Sequence, residues 1–271
     1  MIEHLSPSGL ATWRDCNLKW WFTYASDLPK APPSVDMLVG TMTHAALELL
    51  FSPSDDPTDP SGAAAAAWAD HAHLLPAGTD EIAVKHRVWK SLNLLWEWWR
   101  VLDVYASELE VSGTVETPGG SEAKFFGFAD LVARSATGAL AVRDAKTGKP
   151  PERGPWFRER IMDKLLQVQL YGIFVEAQEG LPVDAMHLDF TGTGRVETHS
   201  IRSREGVLEV WVEAWDDMEV AFEDKELAEP NPGPLCGWCD FVAHCPAGIA
   251  AVRERDALNK SVGPAREVLG L

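Results

Sequence analysis

Three short runs in the middle of the chain constrain its fold more than any other feature: ELEVSGTVET (108–117), FFGFADLVARS (125–135) and GALAVRDAKTG (138–148). Bounded by Gly, Pro and Ser, they read as adjoining strands of a meander. Helices precede them. Ser6-Pro7-Ser8 opens a helix over 6–24 with Leu10, Trp13, Asn17, Trp20 and Trp21 at helical spacing. After a Pro-rich turn at 29–33, Met37, Thr41, Ala45 and Leu49 recur every fourth residue and predict a helix over 36–51. Residues 52–62 read as a loop, and 63–75 and 80–107 as Ala-rich and Trp-rich helices. Beyond the meander the pattern predicts a helix at 158–179, strands at 184–190 and 195–201, and a helix at 203–228 with Leu208, Trp211, Trp215, Met218 and Phe222 on one face. This order gives an α/β chain.

Its 271 residues suffice for one large domain or two small ones. No apolar run is long enough to span a membrane, and MIEHLSPSGLATWRDC lacks the features of a secretory signal, so a cytoplasmic location is expected. The net charge of -17 argues against a non-specific nucleic-acid binder.

Chemistry concentrates in the meander. Asp144 and Lys146 are two apart, so their side chains leave one face of a strand, and Asp130 in the adjoining run can reach that face. Two carboxylates converging with an ammonium group make poor packing. They suit a Mg²⁺ or Mn²⁺ ion and an attacking water, with the lysine orienting or deprotonating the nucleophile. Taken alone, the pair also fits a solvated strand end running into Thr147-Gly148-Lys149-Pro150. His44, in GTMTHAALE, is a candidate metal ligand or a structural histidine. Gln167 and Tyr171, one helical turn apart, share a helix face.

A second constellation closes the chain: Cys236-x2-Cys239-x5-Cys245-Pro246, with Cys16 far upstream. Intracellular thiols are kept reduced, so these four are no disulfide framework. Their spacing fits tetrahedral Zn²⁺ or a [4Fe-4S] cluster, and His244 could replace Cys16.

Together these motifs resemble the PD-(D/E)XK nuclease superfamily, specifically RecB-type nucleases with an iron–sulfur cluster, such as the AddB nuclease domain and the CRISPR-adaptation exonucleases. The resemblance rests on motif order: S-x-L-x-x-W-x-x-C from Ser8 to Cys16, G-x-x-x-H from Gly40 to His44, G-x-x-D from Gly127 to Asp130, D-x-K at Asp144 and Lys146, Q-x-x-x-Y at Gln167 and Tyr171, and the closing cysteines. It implies a restriction-endonuclease-like core, a mixed central sheet flanked by helices, as one nuclease domain over 1–271. A helical insertion would span 52–107, and residues 232–250 with Cys16 would form the cysteine cluster joining the N- and C-terminal regions. By this resemblance His44, Asp130, Asp144 and the carbonyl of Ala145 ligate Mg or Mn, Lys146 activates water, and Gln167 and Tyr171 assist. The cysteines would hold [4Fe-4S] as a structural staple, with Zn the alternative. Asn17 stands where the family often has Pro after the first cysteine, and Ala129 stands where the superfamily name has Pro.

The implied activity is metal-dependent hydrolysis of DNA, as an exonuclease on single strands or ends in recombination, repair or replication. Such an enzyme would work with a helicase or a recombination or replication protein. The rivals are a non-catalytic iron–sulfur scaffold and a structure-specific endonuclease. Residues 143–164 carry seven Lys or Arg against four acids, a basic strip beside the proposed site. The acidic 202–229, with ten acids and three bases, reads as a solvated outer helix. Trp156 in the basic segment is a candidate base stacker, whereas Trp211 and Trp215 read as core.

Overall fold

A computed structural model describes residues 2–52, 59–150, 157–201 and 203–269; side chains of 157–160, 163 and 258–269 lie outside that description. Trp156 and Arg153, and the side chains of Arg158 and Arg160, therefore fall outside the described residues. The chain forms two compact units. The larger holds His4–Pro7 and Pro33–Val212, and the smaller is built mainly from Ser8–Pro32 and Glu213–Leu271.

The larger unit centres on a sheet of order β1-β2-β3-β4-β5. Strands β1 (Asp103–Glu116) and β2 (Glu122–Arg134) are a hairpin whose turn is closed by the Thr117 N–H donating to the Ser121 carbonyl at 2.8 Å. That turn sets the register, with Glu116 opposite Glu122. Strand β3 (Leu140–Lys146) runs antiparallel to β2 and parallel to β4 (Val183–Phe190), which pairs with antiparallel β5 (Arg195–His199). A parallel pair needs a long crossover. Helix α6 (Phe157–Glu179) provides it and packs on β1, β3 and β4.

Three helices form the rest of this unit's core: α3 (Val35–Phe51), α4 (Pro60–His71) and α5 (Glu81–Trp99). Each starts at a side-chain cap that satisfies free N–H groups, Ser34, Asp59 and Asp80 in turn. Met42, Ala46, Leu47, Ala63, Ala67, Val88, Leu92, Leu95 and Trp99 are buried together, and Ala145 of β3 joins them. This cluster holds α3 against the strand that carries Asp144 and Lys146. The buried face of α3 is Leu38, Val39, Met42, Thr43, Ala46 and Leu47 rather than the stripe through Met37, which is 60% exposed. The expected helix over 80–107 also ends early, at Trp99. From Asp103 the backbone pairs with β2, Asp103 opposite Arg134, and that pairing overrides local helical periodicity.

In the smaller unit the expected helix over 6–24 divides at Cys16. Helix α1 (Pro7–Asp15) ends there, and α2 (Asn17–Tyr24) begins after an extended residue, φ −170° and ψ 114°. Trp20, Phe22 and Phe241 are buried, with the rings of Phe22 and Phe241 stacked at 5.4 Å. Helix α7 (Arg204–Glu223), which belongs to the larger unit through Val212 and to the smaller from Glu213, carries buried Trp211, Trp215 and Met218 and stops before the expected 228; beyond it Asp224 caps a short 3-10 turn, Lys225–Leu227. Helix α8 (Pro246–Leu269) follows the cysteine segment. Among the described residues no helix is long and apolar enough to cross a membrane.

Candidate active site

The hairpin register and the β2–β3 pairing bring the meander's acids together. Leu131 lies opposite Arg143, so the next positions along the two strands are Asp130 and Asp144. Asp130 accepts the Ala145 N–H on Oδ2 at 2.7 Å, and its Oδ1 stands 3.4 Å from His44 Nδ1 on α3. Lys146 donates from Nζ to Asp144 Oδ1 at 2.9 Å and to Gln167 Oε1 at 3.0 Å. Gln167 on α6 thereby fixes the direction of the ammonium group. Asp144 is buried, and although Nζ lies 2.8 Å from its Oδ2, that oxygen accepts no hydrogen bond among the described residues.

Burial pushes the Asp144 carboxyl up; the Lys146 charge pulls it back and Asp130 raises it further. For His44, burial disfavours the charged ring, but the hydrogen bond and charge of Asp130, with help from Asp144, outweigh it and shift the imidazole upward. These are carboxylates crowded in a low dielectric, with Lys146 as the cation paired to Asp144.

Sequence reading missed Glu108. Ser107 lies opposite Leu131 and Leu109 opposite Ala129, which sets Glu108 across from Asp130. Like charges directly opposite on a sheet repel unless something between them is positive. The Glu108 carboxyl is pushed up to about 7, first by burial and then by the Asp130 charge. Its backbone lies in the left-handed region at φ 46°, unusual for a non-glycine residue and a form of strain that collects at functional sites. His44, Glu108 and Asp130 each offer a ligand atom within 4.8 Å of the others, so this trio could hold a metal ion. Asp144 stands outside it. The hairpin turn was the signal: counting back from Glu116 opposite Glu122 sets Glu108 against Asp130.

Tyr171, also on α6, does not bond the lysine. Its hydroxyl fills the space beside Gly127, where an added Cβ would come within 2.7 Å of it, and it hydrogen-bonds the Phe128 backbone. It thus pins α6 to β2 three residues before Asp130. Gly40, by contrast, leaves room for a methyl group, 3.6 Å from Thr147 Oγ1.

Neighbouring Arg143 is turned inward. It is buried and pairs bidentately with Asp189 of β4, Nε to Oδ2 at 2.8 Å and Nη2 to Oδ1 at 3.0 Å, while Trp99 Nε1 donates to the same Oδ2 at 2.8 Å. The expected basic strip therefore loses Arg143, whose charge is spent inside the protein, and Lys146 faces Asp144.

In the smaller unit Cys16, Cys236, Cys239 and Cys245 line one apolar cavity with Leu18, Phe22, Phe241 and Val242. Each sulfur accepts a backbone N–H: from Asn231 at 3.4 Å, Gly233 at 3.3 Å, Phe241, and Gly248 at 3.2 Å, respectively. Burial pushes the Cys239 thiol up. His244 is not among the lining residues. No three of the cysteine sulfurs fall within 4.8 Å of one another.

The model of the PD-(D/E)XK nuclease superfamily matches residues 4–246. The chain belongs to this superfamily. No curated protein matches the sequence. A solved structure titled "Crystal structure of SSO0001" aligns at 17% identity and a TM-score of 0.43, covering 78% of this chain and 97% of that one. Membership of the PD-(D/E)XK superfamily fits the mixed sheet flanked by helices and implies a metal-dependent nuclease with DNA as substrate. Ala129, where the superfamily name has Pro, is a buried strand residue opposite Leu109.

Proposed function

We propose that this protein is a Mg²⁺- or Mn²⁺-dependent deoxyribonuclease, acting as an exonuclease on single strands or DNA ends. The observation that carries this reading is Lys146, whose Nζ is held between Asp144 Oδ1 and Gln167 Oε1 beside the His44, Glu108 and Asp130 trio. That donor set suits a hard divalent cation: carboxylate oxygens, one imidazole, and a buried Asp144 oxygen that accepts no hydrogen bond. His44, Asp130, Asp144 and the Ala145 carbonyl would hold the ion, with Glu108 as a further carboxylate. Once bound, the ion polarises the phosphate and lowers the pKa of water.

The chain's own residues supply the rest. Asp130, fixed by the Ala145 N–H, aligns His44. Asp144 holds the Lys146 side chain close, 2.9 Å from its Oδ1. Lys146 orients the attacking water and stabilises charge developing on the phosphoryl oxygens, the role that pre-set donors fill most economically. Gln167 gives the ammonium a second acceptor beside Asp144, and Tyr171 keeps α6, and so Gln167, in register with β2.

The four cysteines would hold a [4Fe-4S] cluster as a structural centre of the smaller unit, within a single nuclease domain whose helical insertion ends at Trp99, before β1 begins at Asp103, rather than at 107. Single Zn²⁺ coordination, with Zn–S near 2.3 Å, needs sulfurs about 3.8 Å apart. Four thiols lining one apolar cavity support one shared centre of either kind, with [4Fe-4S] the reading favoured by the closing cysteine motif. Recombination, repair or replication is the fitting context, with a helicase or similar protein delivering DNA to an acidic chain.

The test is digestion of end-labelled linear and circular DNA, single- and double-stranded, with Mg²⁺ or Mn²⁺. Cleavage of linear DNA alone, absent in Lys146→Ala, supports an exonuclease at this site; cleavage by Lys146→Ala at the wild-type rate rejects the site.

A further inference from the structure

Within the larger unit, α4 and α5 border an open groove of about 340 Å³ that no part of the metal site uses. Its walls are Trp68 and Ala64 from α4 and Trp89, Lys85 and Val88 from α5, over a floor formed by Met42 of α3. Both indoles are held. Trp89 Nε1 donates to Ser61 Oγ at 3.2 Å, and the Lys85 ammonium sits 4.2 Å from the centroid of the Trp68 ring. Trp89 is 42% exposed although α5 has ample buried positions for large side chains, and the His86 ring lies tilted against it at 5.9 Å.

The charge around the groove departs from the rest of the molecule. On a chain of net charge -17, residues 82–96 contain Lys85, His86, Arg87 and Lys90 and no acid. Arg87 is bonded to Asp36, and Lys85 lies 3.9 Å from Glu81, an exposed pair that is worth little. Among the described residues that line the groove, Lys85 carries the only formal charge. Flat aromatic faces flanked by cations match one ligand chemistry above others, stacked bases on a phosphate backbone. The volume is within the range of small-ligand sites, enough for one or two bases rather than a helix.

We propose that this groove is a single-stranded DNA site in which bases stack on the exposed Trp89 while Lys85, held in place over the Trp68 ring, with His86 and Lys90 nearby, meets the backbone. This rests on the nuclease reading. Helix α3 lies between the two places: it carries Met42 under the groove and His44 at the metal trio, two residues on and so on its opposite side, and a bound strand would pass around this helix to reach the metal site. A strand seated here is held by its bases at a fixed offset from the site of cutting, which an acidic protein cannot achieve through charge alone. Stacking has no sequence code, so the site tolerates any base.

The test uses the full chain in EDTA, where no cleavage occurs, with fluorescence anisotropy of a labelled oligo(dT) and of an abasic strand of equal length. Trp89→Ala should weaken oligo(dT) binding about tenfold, with Trp89→Phe restoring most of it. The abasic strand should bind wild type about as weakly as Trp89→Ala binds oligo(dT). Lys85→Ala should lower the slope of log affinity against log salt by about 0.7, the value for one phosphate contact on a single strand. Circular dichroism checks that each variant is folded. Equal binding of abasic and normal strands, or wild-type affinity in Trp89→Ala, overturns the groove. Cleavage of linear DNA by wild type with Mg²⁺ or Mn²⁺ separately tests the underlying reading: a protein that cuts but ignores the Trp89 change leaves that reading standing and removes this one.

Discussion

A Cβ at position 127 would lie 2.7 Å from the Tyr171 hydroxyl, so Gly127 and Tyr171 are fitted to each other across the α6–β2 contact. Gly127→Ala must push the phenol aside. Overpacking of this kind costs about 1–3 kcal/mol, and here it also shifts the strand that carries Asp130. The expected outcome is lower thermal stability and a fall in kcat of about tenfold or more. The double variant Gly127→Ala with Tyr171→Phe should recover part of both, and no recovery would separate the two residues.

Gln167→Leu removes the second acceptor of Lys146 Nζ while keeping most of the side chain's volume. The ammonium then pairs with Asp144 alone. Steady-state kinetics on linear DNA should show a lower kcat with KM little changed, because the contact acts on the reacting centre rather than on strand binding.

Asp189 takes Arg143 and Trp99 at once, and its side chain is 2% exposed. Removing one partner of a buried ion pair leaves an uncompensated charge, at about 3–5 kcal/mol. Asp189→Ala should therefore be among the most destabilising single changes in the larger unit, as read by denaturant midpoints. If Asp189→Ala and the double variant Asp189→Ala with Arg143→Met unfold at the same midpoint, the buried Arg143 charge is not the cause.

Metal and pH act on one balance. Burial, with Asp130 second, raises Glu108 from 4.5 to about 7, and burial also raises Asp144. The folded chain thus holds more protons than the unfolded chain between those values, and stability falls as pH rises through that window. His44, shifted upward on balance, has the same sign: its contribution is present at low pH and fades as the ring deprotonates. Melting in EDTA should show lower Tm near pH 7.5 than near pH 5.5, and Mn²⁺ should stabilise more at the higher pH. Burial lowers His187 to about 4, which acts with the opposite sign below its ordinary value. The deciding comparison is therefore with Glu108→Gln: a variant whose Tm falls over this interval as steeply as wild type would contradict the crowding of these acids.

The α/β fold, the mixed sheet's strands and the helix after the meander were legible in the sequence because turn residues punctuate the runs and apolar spacing repeats along the helices. Boundaries were less so. The tail of the predicted 80–107 helix became strand because Asp103 and Val104 pair with Arg134 and Ala133, partners a local window does not contain. Of the candidate site, His44 and Asp130 meet, as do Asp144, Lys146 and Gln167. Tyr171 turned out to hold a glycine rather than the lysine. Glu108 escaped notice because its spacing in ELEV is that of any exposed strand acid; only the hairpin register makes it special. Likewise Arg143, counted with the basic residues, is buried against an aspartate 46 positions away.

The division of the chain has a consequence for its synthesis. Ser8–Pro32 finds its unit's partners only in Glu213–Leu271. At about 5–20 residues per second, the first helices wait on the order of ten seconds or more for the segment that covers Trp20 and Phe22. During that interval Phe22 waits without Phe241, the ring it stacks on in the folded unit, so the order of synthesis leaves this aromatic cluster to close last.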